Sequence, residues 1–191
     1  MKKMEEFNCD TYCGLNCGAC DVMIAYKTGH KSEFASFWTE PNLESFLKSK
    51  GVNFEKNDLK LQCHGCKSDD VFIYCKSCEI RECAINKNVE HCSDCDEYPC
   101  EIFLNWKKLQ FFLPHIKSQQ GNLDAIDEVG VDRWIEDQEK QWKCPQCNTS
   151  FSWYADKCNS CGADLTEYSF KFSKLKSIVM KVSFRLSSIG K

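Results

Sequence analysis

The sequence lacks any apolar run approaching the roughly 18–20 residues that a bilayer-crossing helix requires, so no such helix is expected. It contains no Ser–His–Asp set, no phosphate-binding glycine loop and no dinucleotide fingerprint, which removes the commonest signatures of catalysis and nucleotide binding. Internal repeats at a solenoid period and low-complexity stretches are also absent. Cationic excess is missing too. The formal net charge is −3, which argues against non-specific nucleic-acid binding. The first residues, Met1-Lys-Lys-Met-Glu-Glu-Phe-Asn8, carry acids where a secretory signal needs an apolar stretch. A cytoplasmic location is therefore expected, where disulfides are rare.

What the chain has instead is sulfur. Its 191 residues include 16 cysteines, at the edge of the range that marks a cysteine-dependent scaffold. Reduced thiols at that density point to metal before crosslinks. Cys9, Cys13, Cys17 and Cys20 open the chain. Cys63, Cys66, Cys75, Cys78, Cys83, Cys92, Cys95 and Cys100 form a middle group, and Cys144, Cys147, Cys158 and Cys161 a late one.

The two gaps between groups read as helices. Asp21 to Thr28 reads as a short helix stopped by Gly29. Phe34, Phe37 and Trp38, then Leu43, Phe46 and Leu47, repeat at helical spacing around a break at Pro41. Ile102, Phe103, Trp106 and Leu109 mark another helix, with Pro99 near its first turn. Residues 122–129 and 132–141 read as two more, with Leu123, Ile126, Val129, Trp134 and Ile135 as core positions.

The late group has the spacing C-x2-C, ten residues, C-x2-C. Each pair makes a tight turn that points two sulfurs at one centre, and four thiolates complete the closed tetrahedral shell of structural zinc. Phe151, Trp153 and Tyr154 suit the strands of a short hairpin between the pairs. Gly162 and Asn148 tolerate the positive φ such turns use. The block resembles a rubredoxin-like zinc ribbon.

In the first group, Cys13-Gly-Leu-Asn-Cys17-Gly-Ala-Cys20 has a spacing that resembles the cluster loop of radical S-adenosylmethionine enzymes. Those enzymes build a βα barrel around the loop, whereas the residues that follow here read as helices. A wider resemblance runs from Thr11 to Leu104. Tyr12-Cys13-Gly-Leu-Asn-Cys17-Gly-Ala-Cys20, Cys63-His-Gly-Cys66, Cys78-Glu-Ile-Arg-Glu-Cys83-Ala84 and Cys92-Ser-Asp-Cys95-Asp-Glu-Tyr-Pro-Cys100 together resemble the bacterial and archaeal domain-of-unknown-function family 3795. The resemblance implies ten family cysteines, to which Cys9 and Cys75 are additions. Longer members are similar past that point, through Trp142-Lys-Cys144-Pro-Gln-Cys147. It brings no reaction or substrate with it.

From the residues themselves, Cys17/Cys20 and Cys63/Cys66 could share one metal. Cys78, Cys83, Cys92 and Cys95 could make another site, with Cys75 competing for a place, leaving Cys13 and Cys100 to a third site, an iron–sulfur cluster or free thiols. Cys9 and Cys75 read more simply as buried small hydrophobes. His64 and His91, beside ligand cysteines, could replace a thiolate or hydrogen-bond to sulfur. His30 and His115 read as loop residues. Asp94, Asp96 and Glu97 read as a solvated rim.

The expected architecture is α+β, small and metal-stabilised. It comprises an α-rich cysteine-rich domain (1–110), a helical connector (111–141), a zinc ribbon hairpin (142–166) and a basic amphipathic tail (167–191). In the tail, Tyr168, Phe172, Leu175, Val179, Val182, Leu186 and Ile189 form one helical stripe, with Lys171, Lys174, Lys181 and Arg185 off it. It could pack on the acidic body or lie on an anionic membrane surface. The expected function is zinc binding in the cytosol as a protein-interaction module. The alternative is an iron–sulfur or thiol redox enzyme or carrier using the early cysteines.

Overall fold

A computed structural model describes residues 7–49 and 51–171; the stripe from Phe172 to Ile189 lies outside the described residues. Eight α-helices follow in order: α1 (Asp21–Thr28), α2 (Glu33–Phe37), α3 (Glu40–Ser49), α4 (Ile73–Lys76), α5 (Glu79–Lys87), α6 (Glu101–Lys108), α7 (Gln119–Val129) and α8 (Val131–Gln141). Short 3₁₀ turns separate them, among them Cys17–Ala19, Cys92–Asp94 and Pro114–Ser118. Among the described residues there is no sheet; pairing is confined to two isolated antiparallel bridges, Lys143 with Ser150 and Lys157 with Asp164. The expected α+β class is therefore corrected to a helical one.

Local sequence explains most of these elements. Gly29 ends α1 in the left-handed conformation (φ 73°), and its N–H returns to Ala25 O. Ser32 caps α2 by accepting the Ala35 N–H at 3.0 Å. Pro41 does not interrupt a helix as expected. It falls in the first turn of α3, where a missing N–H costs nothing. Pro99 precedes the α6 N-cap, Cys100, instead of opening the helix. No helix among the described residues is long and apolar enough to cross a membrane.

Three apolar clusters hold the helices. Trp38, Leu43, Phe46 and Leu47 from α2–α3 pack with Val22 of α1 and with Val71, Phe72 and Ile73. Ile80, Phe103 and Leu123 join α5, α6 and α7. The third cluster gathers Trp142, Phe151, Trp153, Tyr154 and Leu165 around Ala19. Ala19 belongs to the first cysteine turn, so the late segment docks on the start of the chain. The Trp153 N–H donates to Ala19 O at 2.9 Å, and the Phe170 N–H to Trp153 O at 2.7 Å.

The motif glycines are fixed by close approach. Gly65, between Cys63 and Cys66, has φ 123°, and a Cβ there would lie 2.0 Å from Asn8 O. Gly14 (φ 78°) leaves room for Gln119 O and Leu123 of α7.

Candidate metal centres

The late cysteines converge. Cys144, Cys147, Cys158 and Cys161 place all four sulfurs within 4.8 Å of one another. Among the described residues they are the one group of three or more Cys, His, Asp or Glu that does so. Cys144 Sγ lies 3.7 Å from Cys161 Sγ, and Cys147 Sγ 3.5 Å from Cys158 Sγ. A tetrahedron of zinc–sulfur bonds of about 2.3 Å has edges of about 3.8 Å, so the quartet matches a four-thiolate shell.

The backbone that achieves this is not the expected hairpin. Each knuckle closes on itself. Around the first, Cys144 N donates to Thr149 O, Asn148 N to Cys144 O and Phe151 N to Trp142 O. The second repeats the pattern with Cys158, Ala163, Gly162, Leu165 and Asp156. Asn148 (φ 59°) and Gly162 (φ 76°) take the left-handed conformation that turns N–H groups toward sulfur. With the Phe151 N–H spent on Trp142 O and the Trp153 backbone bonded to Ala19 and Phe170, residues 151–154 form no strands. Phe151, Trp153 and Tyr154 turn instead to the core. This overturns the hairpin of the expected zinc ribbon.

The Thr149 hydroxyl, 3.3 Å from Cys147 Sγ, and the Thr149 N–H hold the Cys147 thiol down to about 6, favouring thiolate. At Cys161 the Ala163 N–H likewise favours thiolate, but desolvation and the neighbouring thiols push its pKa up to about 12.

The twelve early cysteines spread over neighbourhoods with wider spacing. The two pairs of the first neighbourhood face each other. Burial, then the charges of Cys66, Cys20 and Cys63, push the Cys17 thiol well up. Burial and Cys63 push Cys20 to about 12, while the Met23 and Val22 N–H groups at the start of α1 oppose them. Phe72 and Gly65 offer N–H groups to Cys63. Cys75, read as a buried hydrophobe or a competing ligand of the second site, lies in this neighbourhood. After burial, Cys20, Cys63, Cys66 and Cys78 push its thiol up.

The second neighbourhood contains Cys13, Cys78, Cys83, Cys92, Cys95 and Cys100. Burial, then Cys13, Cys100 and Cys83, push Cys92 up to about 12. Cys83, Cys92, Cys95 and Cys100 line one cavity. Cys100, left over in the sequence reading, thus shares a cavity with Cys83, while Cys78 borders Cys13, Cys66 and Cys92. Cys9 stands apart, its thiol raised by burial, with its sulfur against Gly18.

The histidines beside the cysteines bond to carboxylates. His64 Nδ1 is 3.0 Å from Asp70 Oδ2, and buried His91 places Nε2 3.0 Å from Asp10 Oδ1. Lys67 Nζ donates to the same Asp10 at 2.6 Å. This buried trio ties the chain start to the residues after Cys66 and before Cys92. Asp94 accepts the His91 N–H, and Glu97 pairs with Lys87 at 2.6 Å. His115, read as a loop residue, lies in the Pro114–Ser118 3₁₀ turn. It is buried, stacks on Trp153 with ring centroids 4.0 Å apart, and places Nδ1 2.5 Å from the Tyr154 hydroxyl. Burial lowers its pKa to about 3. No spacing rule announces that contact; only the adjacency of Trp153 and Tyr154 hints at an aromatic wall needing a partner.

A family model described as "Protein of unknown function (DUF3795)" matches residues 9–105. The match spans all twelve early cysteines and ends before the late quartet. No curated protein and no solved structure matches the chain.

Proposed function

Because the chain belongs to the DUF3795 family of proteins of unknown function, whose name supplies no reaction, we propose from its own thiols that it is a zinc-binding protein serving as a protein-interaction module. The observation that carries this reading is the late quartet, whose sulfur separations of 3.5 and 3.7 Å match a four-thiolate zinc shell. Cys144, Cys147, Cys158 and Cys161 would hold the ion. A closed shell leaves no position for substrate, so zinc there supplies folding free energy, on the order of 10 kcal/mol in small zinc domains. The facing pairs Cys17/Cys20 and Cys63/Cys66 extend the reading to a second centre, supported by N–H groups directed at their sulfurs. All sixteen thiols are free, which suits a reducing compartment such as the cytoplasm.

The interaction role rests on exposed apolar surface at the end of α6. Leu104, Leu109, Phe111 and Phe112 are exposed there, Phe111 by 64%, beside Lys107 and Lys108. Such a patch suits a protein partner.

Metal analysis of reduced, anaerobically purified chain tests the first part. Cys144→Ser is expected to lose one zinc per chain and to loosen residues 142–166 alone. Unchanged zinc in that variant refutes the assignment. For the second part, Phe111→Ser with Phe112→Ser is expected to abolish partner capture from the native cell extract; equal capture removes the patch from consideration.

A further inference from the structure

One cavity outside the late quartet concentrates sulfur. It lies between α5, the Cys92–Asp94 turn and the start of α6, and its volume is about 20 Å³. Cys83, Cys92, Cys95 and Cys100 all line it. The rest of its wall is mostly hydrocarbon and aromatic, including Ile80, Val89 and Phe103, with Lys87 also contributing. Each cysteine is fixed by its backbone. Cys83 sits inside α5 and Cys100 caps α6, while the Cys92 N–H donates to Tyr12 O at 2.7 Å and the Cys95 N–H to Cys92 O at 3.2 Å.

We propose that this cavity binds a single thiophilic cation of the zinc class, held by Cys83, Cys92, Cys95 and Cys100. The donor set selects the class. No carboxylate lines the cavity, so magnesium and calcium, which need oxygen ligands, have nothing to bind. Thiolate sulfur selects zinc and other soft ions. Four thiolates complete the tetrahedral shell of a single ion.

The site goes beyond the late quartet and differs from it in kind. No three of these sulfurs lie within 4.8 Å of one another. Rotation about χ1, which moves a sulfur by up to ~3 Å, is the motion that would draw the four toward one ion. The shell thus assembles on the metal, whereas the late quartet stands ready. Binding releases one proton from each thiol that ligates, four in all, and leaves the zinc–tetrathiolate with two negative charges. Lys87 Nζ, 3.6 Å from Cys95 Sγ, faces that charge. Weaker binding and faster exchange than at the late quartet follow.

The test uses the reduced full-length chain under anaerobic conditions, titrated with zinc, pulse-alkylated and mapped by mass spectrometry. Besides the step of the Cys17/Cys20 and Cys63/Cys66 centre, two separate protection steps are expected. The late quartet becomes protected first, and Cys83, Cys92, Cys95 and Cys100 become protected together at least tenfold higher in free zinc. Continued alkylation of those four in excess zinc overturns the proposal. So does a brown chromophore that forms with ferric iron, sulfide and a thiol reductant and requires these four cysteines. Cys95→Ser should remove the weak step and keep the tight one, and Cys144→Ser should do the reverse. An unchanged weak step in Cys95→Ser also overturns the proposal, and does so without touching the late quartet.

Discussion

The late quartet and the early twelve cysteines use the same chemistry at different range. Between Cys144 and Cys161 each knuckle is closed by bonds among its own neighbours, so the sulfurs meet through local geometry. Between Cys9 and Cys100 the thiols are delivered by helix packing. Cys83 comes from α5, Cys100 from the cap of α6, and the Cys92 turn is held from α7, where Ser93 donates to Asp127 at 3.0 Å. Short-range delivery tolerates change nearby. Long-range delivery depends on every close approach along the way.

The sharpest break of that symmetry should come from glycine. Gly65→Ala would set a methyl 2.0 Å from Asn8 O at a φ of 123°. The expected cost is several kcal/mol, with loss of zinc from the early block and retention at the late quartet. Equal metal content in variant and parent would remove the long-range argument. Phe103→Ala, in the cluster joining α5, α6 and α7, should cost about 3–5 kcal/mol in denaturant unfolding. A loss below 1 kcal/mol would mean that these helices do not position the cysteines by packing.

His115 sharpens the comparison at the seam between the regions. Its folded pKa of about 3 lies below the ordinary histidine value of 6.5. The folded state therefore favours the neutral ring. Its contribution is full above pH 6.5 and is lost as pH falls from there toward 3, by at most about 1.4 kcal/mol per unit. His115→Gln should flatten that slope relative to the parent, and parallel curves would contradict it. The smallest effect is expected at Gly162→Ala. Its φ is 76°, but a Cβ there meets open space, so the cost should stay near 1 kcal/mol.

Helices and thiol pairs were legible in the sequence to different depths. α1, α7 and α8 show in apolar spacing and in Gly29 and Gly130, because those signals are local. The late quartet shows in two matched pairs for the same reason. The hairpin was misread because Phe151, Trp153 and Tyr154 carry strand propensity, while their hydrogen bonds and side chains are committed to the knuckle and to Ala19. Neither the approach of Cys100 to Cys83 nor the burial of His115 has a spacing signature. Both arise from packing between segments far apart in the chain.

The bond from Trp153 to Ala19 also sets an order of events during synthesis. Ribosomes add about 5–20 residues per second, so the first cysteine turn leaves the ribosome on the order of ten seconds before the segment that covers it. For that interval Cys20, which packs against the late cluster, faces the cell without that cover, open to whichever metal or oxidant arrives first.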